Sequence, residues 1–120
     1  MGILSQLVTL FGGTAANAYQ RISAVDARTL LNTEAGAKLV DVRTEGEYRG
    51  RHIAGSVLLP LTAIAPKAPA LLPNKQATII VHCQSGHRSG IAVRQLLAMG
   101  YTRVYDLGGI ANWPYGTVSG

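Results

Sequence analysis

The sequence predicts an α/β domain built on a largely parallel sheet, and three observations point that way. Apolar runs alternate at close spacing with segments of helical periodicity. The run Thr78-Ile79-Ile80-Val81-His82 is unbroken and β-branched, as a strand buried on both faces should be. A capping-box pattern, Thr44-Glu45-Gly46-Glu47, directly succeeds the apolar run Lys38 to Val42, so a helix begins where a strand stops. With 120 residues, 48% of them apolar and 14% charged, the chain supplies one core and leaves no room for a second.

The first twenty residues stand apart. Ile3, Leu4, Leu7, Val8, Leu10 and Phe11 fall at helical spacing before Gly12-Gly13, so 1–20 is read as an N-terminal extension with an amphipathic docking helix, ahead of a domain over 21–120. A secretory signal or surface anchor is the alternative, since Ala16-Asn17-Ala18 resembles a cleavage site. No Lys or Arg precedes Arg21, however, and the preferred reading places the protein in the cytoplasm rather than exported. No stretch approaches the roughly 20 apolar residues that span a bilayer.

Within the domain, Ser23 and Asp26 form an N-cap pair that opens a helix through Asn32. Lys38 to Val42 is a buried strand, the capping box starts a short helix to about Arg49, and Ser56 to Leu59 is a second strand. Pro60, Pro66, Pro69 and Pro73 mark a loop-rich connector with at most a turn or two of helix. Thr78 to His82 is the central strand, with Cys83 at its carboxyl end. Ser89 to Met99 is a helix closed by Gly100, and Arg103 to Leu107 is the last strand. Gly108-Gly109 then turns the chain into a short helical turn that Pro114 ends.

The formal charge is +5, from 11 Lys and Arg against 6 Asp and Glu, which favours anionic small molecules or acidic partners. Nucleic acid is not expected, because the eight arginines are scattered and no aromatic-interleaved basic patch accompanies them. One cysteine makes neither an intramolecular disulfide nor a structural zinc site, so Cys83 is either inert or chemically used.

The residues after the cysteine favour chemical use. Cys83-Gln84-Ser85-Gly86-His87-Arg88-Ser89 is a short polar loop at the carboxyl edge of a parallel sheet, where open α/β folds bind ligands. Gly86 frees the backbone, so that successive N–H groups can converge above the sulfur. The start of the next helix and Arg88 add positive potential, and together these favour thiolate over thiol.

This loop and its flanks resemble the single-domain rhodaneses. The resemblance also rests on Leu39-Val40-Asp41-Val42-Arg43, Glu47-Tyr48, His52-Ile53-Ala54-Gly55-Ser56, Gly100-Tyr101 and Leu107-Gly108-Gly109-Ile110 with Trp113. It implies a three-layer domain with a mostly parallel five-stranded sheet flanked by helices. It also implies a sulfurtransferase that takes sulfane sulfur from a donor such as thiosulfate or a persulfide onto Cys83 and passes it to cyanide, a thiol or an acceptor protein, without metal or organic cofactor. The backbone of Gln84, Ser85, Gly86, His87, Arg88 and Ser89 becomes the anion site, and Asp41 braces the loop. Arg43 either meets the donor or pairs with Glu47 or another carboxylate.

A sulfur-relay or partner-binding module without turnover is the rival reading. Phosphatase or arsenate chemistry ranks below both, because related phosphatases use C-x5-R and this loop is C-x4-R. Gln84 departs from the basic residue that related loops often carry there, which makes the cradle less cationic unless Arg43, Arg49 or Arg51 compensates. His87 either contacts the donor or faces solvent; His82 and His52 are assigned to the scaffold, and Tyr101, Tyr105 and Trp113 to packing.

Overall fold

Helices and strands alternate along residues 18–120, the part of the chain described by the computed structural model. The order is α1 (Ala24–Thr33), β1 (Lys38–Asp41), α2 (Glu45–Gly50), β2 (Val57–Leu58), α3 (Ile64–Leu71), β3 (Thr78–Cys83), α4 (His87–Ala98) and β4 (Arg103–Gly109). Single 3₁₀ turns lie at Leu61–Ala63 and Ile110–Asn112. The helix expected in the extension falls, up to residue 17, outside the described residues. No described helix is long and apolar enough to cross a membrane.

The sheet runs β2-β1-β3-β4 and every pairing is parallel. Side chains alternate between its faces, and each face acquires its own core. Val40, Ile79 and Val81 meet Ile64 and Ala68 of α3 and Ala92, Val93 and Leu96 of α4. Leu39, Ile80, Tyr105 and Leu107 meet Ala27 and Leu30 of α1 and Ile110. The result is three layers with β3 inside, all six of its residues buried.

The fifth strand implied by the resemblance is reduced to one bridge. Beside β4, Ile22 donates to the Asp106 carbonyl at 3.0 Å and Asp106 donates to the Gln20 carbonyl at 2.9 Å, which makes a parallel bridge at Arg21. The ladder stops there because Ser23 accepts the Asp26 N–H at 3.1 Å and starts α1, so the chain turns away after a single pairing.

The connector also differs from expectation: it holds an eight-residue helix, α3, despite Pro69 within it. Pro69 is exposed, so the Ala65 carbonyl that loses its intrahelical donor lies on the solvent side. Ile64, Ala68 and Leu72 recur every fourth residue and are buried, which is what holds the helix on the sheet. The buried Tyr101 hydroxyl adds a clamp at its end, lying 3.2 Å from the Ala68 carbonyl and 2.7 Å from the Leu72 carbonyl.

Tyr101→Phe keeps the packing and removes that clamp. The Ala68 carbonyl keeps the Leu72 N–H, so the expected loss is about 1–3 kcal/mol of unfolding free energy, the range for leaving one buried group, the Leu72 carbonyl, unsatisfied, measured by denaturant titration. A change within error would mean that the hydroxyl contributes nothing to holding α3.

Candidate active site

Only Gln84, Ser85 and Gly86 separate β3 from α4. The helix begins at His87, two residues before the predicted start at Ser89, because Gly86 occupies its N-cap with φ +101°, a conformation that glycine adopts without penalty. From that position the Gly86 N–H donates to Cys83 Sγ at 3.0 Å. His87, Arg88 and Ser89 form the first helical turn, whose N–H groups have no intrahelical acceptor by position. Ser89 is buried and its hydroxyl donates to the Gly86 carbonyl at 3.0 Å, while Gln84, Ser85 and His87 are exposed around the mouth. Cys83 itself is buried and packs among the core residues on the α3/α4 face.

One wall of the loop comes from β4. Gly108-Gly109, which the sequence presents as a turn, instead continues the ladder: Val81 pairs with Asp106, but His82 pairs with Gly108 and Cys83 with Gly109, so Leu107 is the extra residue of a bulge. Gly108 has φ +88°, and its N–H donates to Asp106 Oδ1 at 2.8 Å. The other oxygen of Asp106 accepts the Tyr19 hydroxyl. The bulge brings Gly109 against the loop so closely that a Cβ there would stand 2.8 Å from the Gln84 carbonyl oxygen and 3.2 Å from Ser85 Cα.

The other side comes from β1. Asp41 is fully buried and Arg43 nearly so, at 2% exposed. Arg43 Nη2 lies 2.8 Å from Asp41 Oδ2, its Nε donates to both carboxylate oxygens at 3.0 and 3.1 Å, and its backbone N–H donates to Oδ1 at 2.9 Å. The guanidinium continues outward, giving Nη1 to Gln84 Oε1 at 3.0 Å and Nη2 to the Arg51 carbonyl at 2.5 Å. Asp41 thus reaches the loop through Arg43 and Gln84. Of the alternatives open for Arg43, the structure shows the carboxylate pair, with Asp41 rather than Glu47.

Glu47 is taken by Arg88. Nη1 and Nη2 of Arg88 donate to the two carboxylate oxygens at 2.7 and 2.9 Å. The same carboxylate accepts the Thr44 N–H at 2.9 Å, completing the capping box of α2. Those hydrogen bonds, Arg88's first and then the Thr44 amide, hold Glu47 at about 2, below its ordinary 4.5. Arg88 titrates above its usual value, chiefly through the same bonds.

His82 lies on the opposite face from Cys83, across from Asp41 in the ladder. Its Nε2 is 3.6 Å from Asp41 Oδ2 and has no hydrogen-bond partner. Burial lowers its titration, opposed by the Asp41 carboxylate and the Cys83 carbonyl. His52 is a scaffold group stacked on Tyr48 with ring centroids 3.8 Å apart. Glu47 as the partner of Arg88, Asp106 and Gly109 are the site residues that sequence reasoning missed. The Asp106-x-Gly108 spacing, an Asp whose side chain accepts the N–H two residues on, was the available signal.

Residues 23–114 match the family model of the rhodanese-like domain. A thiosulfate sulfurtransferase of Escherichia coli (strain K12), PspE, is 35% identical over 71 residues, which are 59% of this chain and 68% of that protein. Thiosulfate sulfurtransferase 18 of Arabidopsis thaliana is 31% identical over 113 residues, covering 84% of this chain and 82% of that protein. Other relatives are longer, the match spanning 60%, 41% and 21% of three of them. Among solved structures, the Alr3790 protein from Anabaena sp. superposes with a TM-score of 0.75 at 27% identity, covering 82% of this chain and 91% of that one.

Gly109→Ala forces the Gln84–Ser85 backbone to move and should change the rate of Cys83 alkylation while the far-ultraviolet circular dichroism stays native; an unchanged rate would show that the close approach does not matter. His82 stays neutral in the fold at pH values where the unfolded chain takes up a proton. Stability is therefore full above about pH 6.5 and falls below it, by at most about 1.4 kcal/mol per pH unit for this one group. His82→Gln should flatten the acid limb of Tm against pH between about 7 and 5, and an unchanged slope would count against a neutral buried imidazole.

Proposed function

The chain belongs to the rhodanese-like domain family and is a sulfurtransferase at the level that family assigns, and from this premise we propose that it moves sulfane sulfur through a persulfide on Cys83. The observation that carries the reading is the Gly86 N–H aimed at Cys83 Sγ from 3.0 Å, at the carboxyl end of the buried central strand. A hydrogen bond to an anionic sulfur is stronger than one to a neutral thiol, and the positive end of α4 lies over the same loop.

With thiosulfate as donor, the Cys83 thiolate attacks the outer sulfur. The sulfur–sulfur bond breaks, its electron pair leaves on sulfite, and the persulfide remains on Cys83. An acceptor such as cyanide, a thiol or a protein thiolate then attacks the terminal sulfur, and the Cys83 thiolate leaves. The loop positions both steps: the Gly86 N–H and the positive end of α4 stabilise developing negative charge, the Asp41–Arg43 pair holds the Gln84 side chain, and Gly109 fixes the Gln84–Ser85 backbone.

Intact-mass spectrometry after incubation with thiosulfate, and in parallel with an organic persulfide, tests the reading. A gain of one sulfur atom that cyanide removes, and that Cys83→Ser loses, is the expected result. No adduct with any sulfane donor sinks it.

A further inference from the structure

The cations that touch the loop are already matched. Arg43 is buried against Asp41, and Arg88 is held by Glu47 through two bonds of 2.7 and 2.9 Å. These four side chains sum to zero charge. Arg51 meets the site through its main-chain carbonyl, and Arg49 pairs with Glu45 at 2.6 Å on the surface. Gln84 and Ser85 at the mouth are uncharged, and His87 there offers an imidazole rather than a guanidinium. A dianion entering here finds backbone amides and a helix terminus but no unpaired guanidinium on the loop.

A second observation concerns shape. Between Arg43 and Arg88 lies a cleft of about 130 Å³ whose walls are Val42, Pro60 and Leu61, with Thr44 and Thr62 also lining it. That is room for about four groups of water size. Its apolar walls suit short methylene groups better than a sulfonate. A site with its arginines neutralised and an apolar cleft beside them discriminates against charge rather than recruiting it.

We propose that Glu47 sets the donor class of this site: by occupying Arg88 it disfavours thiosulfate and leaves a pocket suited to an organic persulfide, R–S–SH, with a short alkyl group. The proposal rests on the persulfide reading of Cys83. In the transfer, the Cys83 thiolate attacks the outer sulfur of R–S–SH, the sulfur–sulfur bond breaks, and R–S⁻ leaves with the bonding pair. The proton stays on the transferred sulfur, so charge and electrons balance without a further reactant.

Intrinsic reactivities of the two donors differ, so the diagnostic quantity is how their ratio changes on mutation. Rate constants for sulfur loading are measured by quenched mass spectrometry with thiosulfate and with ethyl persulfide, for wild type and Glu47→Gln. Glutamine keeps one oxygen as the capping-box acceptor at the start of α2 and removes the neutralising charge together with one of the two bonds from Arg88. The thiosulfate-to-persulfide ratio is expected to rise about tenfold, as freeing one cation beside a dianion implies. Ser85→Lys, at an exposed position whose side chain makes no hydrogen bond, places a cation at the mouth by another route and should shift the ratio the same way. An unmoved ratio in variants that load sulfur overturns the assignment of Glu47; if Glu47→Gln does not fold, Ser85→Lys decides alone. Failure of wild type to load from either donor overturns the persulfide reading instead, so the two failures are told apart.

Discussion

Two buried carboxylates hold the ends of the strands on either side of β3, and the shape of the loop above Cys83 depends on them. Asp41 on β1 and Asp106 on β4 are 0% and 2% exposed, and each uses Oδ1 to accept the N–H two residues further along, from Arg43 and Gly108 respectively. Each bond fixes how its strand leaves the sheet. On one side it aims Arg43 at Gln84; on the other it forms the bulge that presses Gly109 against the Gln84 carbonyl. Asp41 is compensated by a guanidinium, whereas Asp106 relies on the Tyr19 hydroxyl and the Gly108 amide, with Arg94 over the Tyr19 ring at 4.2 Å. Taking a carboxylate out of water is costly, and such groups are stable only when their lone pairs are satisfied. Loss of any one partner therefore propagates to the loop.

Overall charge and local charge tell different stories. The chain carries a formal +5, yet the arginines bound to the loop are paired with Asp41 and Glu47. The excess is distributed over the surface, where it draws anions towards the molecule at long range and is screened within about a Debye length. Selection at the sulfur is a contact effect, decided within hydrogen-bond range by which donors remain free. Composition alone does not reveal that these arginines are already paired.

What the sequence discloses and what it hides divide along a physical line. The strand cores, the Ser23 cap and the Thr44–Glu47 capping box are legible because they are local: each depends on residues within a turn or on burial periodicity. The position of Cys83 at a strand end is legible for the same reason. Sequence pattern starts α4 at Ser89 because His87 and Arg88 look like loop residues, although a positive φ at Gly86 lets the helix begin beneath them. Gly108-Gly109 reads as a turn because two glycines usually make one; that they continue a ladder depends on pairing with β3, which no local pattern encodes. The length of α3 is hidden by its prolines, since the Tyr101 clamp that holds it reaches across 33 and 29 residues for its two contacts. Glu47 reads as a cap and not as the partner of Arg88, 41 residues distant, because one carboxylate serves both.

The loop's own contacts are largely backbone to backbone. Gly86 packs near Gly108, Gly109 stands against Gln84 and Ser85, and the bond to the sulfur comes from an amide. At the rim the side chains are those of Gln84, Ser85, His87 and the Glu47–Arg88 pair, while the buried Ser89 hydroxyl and Arg43 hold the loop from within. Substitution at the rim can therefore change what is admitted without moving the groups that address Cys83, whereas a single methyl at Gly109 disturbs those groups and leaves the rim chemistry intact. The backbone geometry around Cys83 and the chemistry of the rim are thus separable in this fold, and the separation arises because three glycines let two stretches of main chain approach closely enough to fix one another.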